Sequence, residues 1–205
     1  MLNNLTIILP ELILFLGAMG LLMIGAFSKN DATRTVDLGA IAILALAAAA
    51  AGSYATDAPA TAFDGAFIMD SFASLTKVLT FVATGIAILM SQSFLKLEKL
   101  ARFEYAVLLL LATAGMGMMI SANDLISLYM GIELQSLALY VVAAINRDSL
   151  RSTEAGLKYF VRFHHPLPAT GRDAALWLDT MRRELPLCNC RCVIAAALLA
   201  LLQAD

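Results

Sequence analysis

A glutamate inside a long apolar segment is the residue of this sequence with the clearest potential for chemistry. Glu133 stands about eight residues into the apolar run from 125 to 145, which is roughly 12 Å along a helix that rises 1.5 Å per residue. If the run crosses a bilayer, a charge at this depth costs roughly 2.5 to 3.5 kcal/mol. Such groups usually face a protein interior and transfer ions or protons, so a proton-transfer role is predicted for Glu133. The alternative is a carboxyl group that hydrogen-bonds a neighbouring helix only for packing.

Hydroxyl groups share the helical face of this glutamate. Residues three, four and seven positions away lie on the same face of a helix as Glu133; these are Tyr129, Ser136, Leu137 and Tyr140. Such a face suits a hydrated cavity. Burial and a nearby cation change the proton affinity of a carboxyl group in opposite directions, so a glutamate here can be tuned to gain and lose a proton.

Lys158 is the nearest candidate cation in sequence. It follows Glu154 by four residues, the spacing of an ion pair within one helix. If the apolar run after Arg151 continued as a sixth helix, Lys158 would lie several residues inside the membrane and could face Glu133. The alternative is that its ammonium group extends to the membrane interface.

Metal and cofactor chemistry is not predicted for this chain. Three cysteines alternate at 188, 190 and 192, whereas structural zinc sites favour a C-x(2-4)-C spacing. The adjacent His164 and His165 do not complete such a pattern. The sequence contains no nucleotide-binding glycine fingerprint, Ser/His/Asp order or haem-attachment motif. We therefore expect no bound cofactor and no hydride or acyl chemistry from this chain.

Five apolar segments must position these side chains. They approach or reach the roughly 17 to 25 residues that a transmembrane helix needs, and they lie at about 7–27, 36–54, 72–95, 105–120 and 125–145. A sixth run, from about 152 to 161, meets Arg162, His164 and Pro166 after about ten residues. The predicted fold class is an all-α integral membrane protein with five complete transmembrane helices and an aborted sixth.

Loop charges predict the orientation of these helices, because short cytoplasmic loops retain Lys and Arg. The loops after the first, third and fifth segments carry seven basic residues. The N-terminal segment and the two alternate loops carry none. The N-terminus is therefore predicted to be outside the cytoplasm. With that orientation, we expect Lys77 to extend to the outer interface and Glu11 to be an interfacial carboxylate at a helix start.

The composition agrees with a membrane protein and excludes nucleic acid as a partner. Of the 205 residues, 60% are hydrophobic and only 15% are charged, and the mean hydropathy is +0.81. The net charge of -2 leaves no overall basic surface for nucleic acid. The first apolar run lacks a positively charged start and is too long for a secretory signal, so we interpret it as a retained helix.

The stretch Gly-Ile-Glu-Leu-Gln-Ser-Leu-Ala-Leu-Tyr at 131–140 resembles the fifth-helix motif of subunit N of bacterial NADH:quinone oxidoreductase, respiratory complex I. The mitochondrial counterpart of that family is NADH dehydrogenase subunit 2. Three further stretches agree in order and spacing: Pro10-Glu11, Asp70-Ser71-Phe72 and 154–160. The resemblance covers residues 1 to about 161 and implies a fragment of an antiporter-like helical bundle.

The resemblance implies a membrane-arm subunit that takes part in proton transfer coupled to quinone reduction. Glu133 matches the fifth-helix glutamate of the family and Lys158 a sixth-helix lysine, and both are expected in a proton path. NADH and quinone would be used by the complex, the partners would be its other membrane subunits and the lipid bilayer, and the location would be the bacterial inner membrane. The alternatives are a subunit of a multisubunit cation/proton antiporter, a purely structural membrane component and a truncated non-functional product.

The tail departs from this family. After Phe160 the family continues with an apolar, glycine- and alanine-rich stretch and further lysine-bearing helices, whereas this chain continues Arg-Phe-His-His-Pro at 162–166. We therefore expect two regions, a transmembrane region at 1–161 and an unrelated tail at 162–205 that arises from a lost reading frame. The rival hypothesis is a genuine short variant with its own tail. Translating the other two frames beyond codon 161 distinguishes these possibilities.

Overall fold

A computed structural model describes residues 7–27, 32–53, 60–63, 65–97, 102–146 and 149–163. The elements in these ranges are α1 (Leu9–Phe27), α2 (Ala32–Gly52), β1 (Ala60–Ala62), β2 (Phe67–Met69), α3 (Ser71–Leu97), α4 (Glu104–Ser121), α5 (Leu125–Ala143) and α6 (Leu150–Phe163). The tail after residue 163, with its cysteines and the predicted loss of frame, lies outside the described residues.

The first five helices confirm the predicted membrane class. Each is long and apolar enough to cross a bilayer by length and composition, and the candidate spans are Leu9–Phe27, Thr33–Gly52, Ser71–Ser93, Glu104–Ser121 and Leu125–Ala143. Helix α6 has 14 described residues, fewer than the roughly 17 that a spanning helix needs. The short hairpin between α2 and α3 was not predicted from the sequence.

The chain divides into two compact units, one ending at Leu139 and the other beginning at Tyr140. In the first unit α4 contacts α1, α2 and α3. In the hydrophobic stretch of α4, 67% of residues are buried, against 28 to 39% in the other four spans. The fourth predicted span, the shortest of the five, is therefore the central helix. The exposed sides of its neighbours are rich in leucine, phenylalanine and methionine.

Helices α4 and α5 approach closely through glycines. A Cβ atom added to Gly115 would lie 2.8 Å from both the amide nitrogen of Gln135 and the carbonyl oxygen of Gly131. A Cβ atom on Gly131 would lie 3.0 Å from the Gly115 carbonyl oxygen. Small residues at such crossings let backbones meet, which favours helix association in lipid.

Buried hydroxyl groups also join helices of the first unit. The hydroxyl groups of Thr113 in α4 and Thr84 in α3 are within hydrogen-bond distance at 3.1 Å, and the Ser74 hydroxyl donates to the carbonyl oxygen of Ala51 over 2.7 Å. Hydrogen bonds of this kind contribute roughly 0.6 to 2 kcal/mol each between membrane helices. They fix α3 against both α2 and α4.

The hairpin packs across several helix ends. Strands β1 and β2 are antiparallel, with Thr61 opposite Ile68, and the intervening turn uses a positive φ of 91° at Gly65. The Asn123 amide group donates to the carbonyl oxygen of Gly65 over 2.7 Å. On its buried side the hairpin forms an apolar cluster of Ile7, Ala62, Phe67, Met69 and Ala73.

The second unit joins the end of α5 to α6. The Ser152 hydroxyl donates to the carbonyl oxygen of Ala143 over 2.9 Å. The rings of Tyr140 and Phe160 meet edge to face with centroids 5.4 Å apart. These contacts place α6 against the last turn of α5.

Candidate functional site

Glu133 lies in the middle of the spanning helix α5, as predicted, and is partly buried. The side chain of Tyr129, one turn earlier, hydrogen-bonds the Glu133 side chain. Helical geometry brings the two together, because residues four apart lie on one face. A phenolic hydroxyl beside a carboxyl group in an apolar helix provides two groups that can exchange a proton.

The helix face around Glu133 contains both exposed and buried residues. Tyr129 and Leu137 are about half exposed in the chain, at 48% and 51%, whereas Ser136 is buried at 6%. Gln135 on the opposite side is also buried at 6%. The predicted polar face therefore lies at the edge of the first unit, with some of its residues buried and others exposed.

Lys158 lies in the second unit, on α6. Its ammonium nitrogen is 2.7 Å from Oε1 of Glu154, and the two side chains are 74% and 55% exposed. The ion pair expected from the four-residue spacing is thus formed. Since α6 lies outside the five candidate spans, this is an exposed pair, and the Lys158 ammonium lowers the pKa of the Glu154 carboxyl group.

Beside this pair, α6 and the end of α5 border an open apolar groove. Val141, Ala144, Leu157 and Phe160 contribute to its walls. Gly156 brings the helices close, because a Cβ atom there would lie 2.8 Å from the Cβ atom of Ala144. The groove is apolar, and Thr153 contributes a hydroxyl-bearing side chain to its lining.

A second charge site, between two of the candidate spans, was not predicted. The Lys77 ammonium nitrogen lies 2.5 Å from Oε1 of Glu11, and the two residues are 0% and 4% exposed. The expectation that Lys77 extends to the interface is wrong, because its side chain is fully buried. Glu11 does stand in the first turn of its helix, but as one half of a buried ion pair.

The surroundings of this pair explain why its charges are buried in the protein. Met69 of the hairpin lies against Lys77, whose Nζ is 3.5 Å from the methionine sulfur. The Ser121 hydroxyl approaches the same sulfur at 3.9 Å. The hairpin covers these helix ends, and the Lys77 side chain is fully buried beneath it.

A sequence signal for the pair existed. Helices α1 and α3 are separated by two crossings, so their first turns lie on the same side of a membrane. Glu11 and Lys77 stand in the first two turns of these helices and carry opposite charges. Only the packing of the two helices decides whether such residues face each other.

In the ranges that the structure describes, no three histidine, cysteine, aspartate or glutamate side chains form a group suited to a metal ion. The cysteine cluster and the two histidines lie outside those ranges. The expectation that the chain binds no metal or cofactor stays a prediction.

Comparison with known proteins finds relatives of this chain. Residues 122–164 match a family model described as NADH:quinone oxidoreductase/Mrp antiporter, transmembrane. The NADH-quinone oxidoreductase subunit N of Maricaulis maris is 50% identical over 159 residues, covering 78% of this chain and 33% of that protein. This chain is homologous to subunit N. The subunit N of Rhodospirillum rubrum is 54% identical over 154 residues, covering 75% of this chain and 32% of its own length.

A solved structure agrees with the subunit N relatives. A chain of respiratory complex I from Thermus thermophilus with bound aureothin aligns with a TM-score of 0.60 and 26% sequence identity. The alignment covers 74% of this chain and 32% of that one. The resemblance read from the sequence is therefore confirmed, and the chain spans about one third of the length of the subunit N relatives it matches.

The segment that matches the family model contains both predicted site residues, Glu133 and Lys158. Their roles stay predictions, because the comparisons establish kinship and not the function of single side chains.

Proposed function

We propose that this chain is a membrane-arm subunit of a proton-translocating NADH:quinone oxidoreductase and takes part in proton transfer coupled to quinone reduction. The observation that carries the proposal is the identity of about 50% with subunit N proteins over three quarters of the chain. Partners are the other membrane subunits of the complex. NADH and quinone are used elsewhere in the complex, and this chain performs no redox step itself.

Glu133 is proposed as a proton-transfer residue. Its carboxyl group lies in a spanning helix with the Tyr129 hydroxyl as a partner, so a proton can be held and released there without a bulk-water shell. Changes in nearby charge and hydration alter the free energy of ionising such a group. Lys158 is proposed as a second proton-transfer residue, and its ammonium group forms an ion pair with Glu154.

The location proposed is the bacterial inner membrane, with the N-terminus on the periplasmic side. The seven basic residues in alternate loops support this orientation.

Replacing Glu133 by Gln tests the proton-transfer role. The gene is altered in its own cells, and inverted membrane vesicles are assayed for NADH-driven quinone reduction and for proton uptake. We expect Glu133→Gln and Lys158→Met to lower proton uptake by about tenfold or more, as the loss of a positioned acid-base group does. The amount of assembled complex, measured by immunoblot, is expected to stay constant.

The matched control is Asp124→Asn, an acid-to-amide change at the exposed start of the same helix. An asparagine retains the side-chain oxygen that accepts the Leu125 amide hydrogen, so activity should be unchanged. Proton uptake at the unaltered level in Glu133→Gln would contradict the role of Glu133. Sodium-dependent proton exchange without quinone reduction would instead assign the chain to a cation/proton antiporter, the other family in the description of the matching model.

A further inference from the structure

Helix α1 is apolar on every side, so hydrophobicity alone does not select the face that packs into the bundle. Leu14 and Leu21 are buried, whereas Leu16 and Met23 are 61% and 53% exposed. In lipid, leucine gains little by moving from one apolar surface to another. The rotation of α1 about its axis must therefore be selected by another feature.

Glu11 is the charged residue of α1, and it is buried, with 4% of its surface exposed. Oε1 is in ionic contact with Lys77, while neither carboxylate oxygen has an aligned hydrogen-bond donor among the described residues. Gly117 of α4 makes room for the side chain, since a Cβ atom there would lie 3.3 Å from Oε1. The carboxylate thus lies between Lys77 of α3 and Gly117 of α4.

The receiving side is equally specific. Lys77 lies six residues beyond the first residue of α3, or roughly 9 Å along the axis, and its ammonium group contacts Glu11 and Met69. An ammonium group in such surroundings is costly without a counter-ion. Turning α1 by one residue, about 100°, would leave both charges without a partner.

We propose that Lys77 and Met69 form an intramembrane docking site for the carboxylate of Glu11, and that this contact selects the rotation of α1 in the bundle. The ligand of the site is the first helix of the same chain. Its contribution is specificity, because a buried ion pair as a whole adds little net stability, whereas removing one partner is strongly unfavourable. The proposal is independent of the proton-transfer role of Glu133.

Disulfide cross-linking of the full 205-residue chain in membranes tests which face of α1 packs into the bundle. Leu21 of α1 packs against Gly39 of α2, where a Cβ atom would lie 2.5 Å from the leucine side chain. With the three native cysteines replaced by serine, Leu21→Cys with Gly39→Cys should cross-link on oxidation. Leu22→Cys with Gly39→Cys, with Leu21→Ala added to make room for the new Cβ atom, is the matched control, because Leu22 is exposed.

We expect Glu11→Gln or Lys77→Met to lower the Leu21 cross-link by about tenfold, since each leaves one buried charge unpaired. The exchanged pair Glu11→Lys with Lys77→Glu should restore most of it. Glu154→Gln with Lys158→Met, which removes the exposed pair of the same residue types, should change nothing.

An unchanged cross-link in the single variants overturns the proposal. If the single variants fail to accumulate in the membrane, the exchanged pair decides, since it restores both charges. Failure of the exchanged pair to accumulate and cross-link also overturns the proposal. Quinone reduction is not part of the readout, so the result is separable from the fate of the proposed function.

Discussion

Gly115 and Gly131 bring α4 and α5 to a distance that excludes any side chain on either glycine. A Cβ atom added to Gly115 would meet only backbone atoms of Gly131 and Gln135, which cannot move aside. A Cβ atom added to Gly131 would meet the Met119 side chain at 2.7 Å and the Gly115 carbonyl oxygen at 3.0 Å. Gly20 is the opposite case, with nothing within 4 Å of an added Cβ. Glycine is therefore required for close helix packing at Gly115 and not at Gly20.

Gly115→Ala is expected to destabilise the bundle by about 1 to 3 kcal/mol, the usual cost of forcing atoms into a packed interior. Gly20→Ala should stabilise it by roughly 0.5 to 1 kcal/mol, because alanine is the better helix former. The measurement is the midpoint of detergent-induced unfolding of the full chain in micelles. Equal effects of the two substitutions would show that the close approach of α4 and α5 does not matter.

The charged residues also differ in how clearly the sequence indicates their surroundings. Glu133 was recognisable because a glutamate in the middle of an apolar run has few structural explanations. Glu11 and Lys77 lie nearer to the helix ends, where interfacial positions are the usual expectation. Only the hairpin that covers those ends makes their burial unavoidable.

At the scale of elements, α6 differs from the five spanning helices. Its charged residues Glu154 and Lys158 are exposed and paired, and the pair was expected from spacing because a helix fixes the geometry of residues four apart. The proximity of α6 to the end of α5 was not expected, because it depends on the contacts of Ser152 and Gly156 with particular backbone atoms.

The Glu154 carboxyl group is expected to titrate below its ordinary pKa of 4.5, because Lys158 stabilises the charged form. A lowered pKa in the folded state means that the contribution of the pair to stability is present above pH 4.5 and is lost as the pH falls through the lowered value. Carbon-13 NMR of labelled glutamate in the full chain would measure this titration. Lys158→Met should return the midpoint toward 4.5, and an unchanged midpoint would contradict the pairing.

At the scale of the whole molecule, alternate crossings of the first five helices predict which residues meet each side of the membrane. Asn123 lies in the turn between α4 and α5, and Arg102 precedes α4. In a cysteine-free background, Asn123→Cys should react with an impermeant maleimide added outside cells. Arg102→Cys should react only after permeabilisation. The reverse pattern would invert the proposed orientation.

The sequence by itself determined the class of the molecule, the number of candidate spans and the homology to subunit N. Each of these depends on local properties: the length of an apolar run, the charge of a loop, or a motif such as 131–140. They require no knowledge of which helix touches which, because the bilayer sets the length of a spanning helix and the backbone must satisfy its own hydrogen bonds.

The tertiary structure decided which apolar helix is central and which charges are enclosed. Helix α4 packs against α1, α2, α3 and α5, and the hairpin covers Glu11 and Lys77. The apolar pattern of these helices does not show which of them is buried. In lipid the inner and outer faces of a helix are both apolar, so sequence patterns do not mark the interior. The interior is defined only when glycines, hydroxyl groups and one ion pair meet across helices.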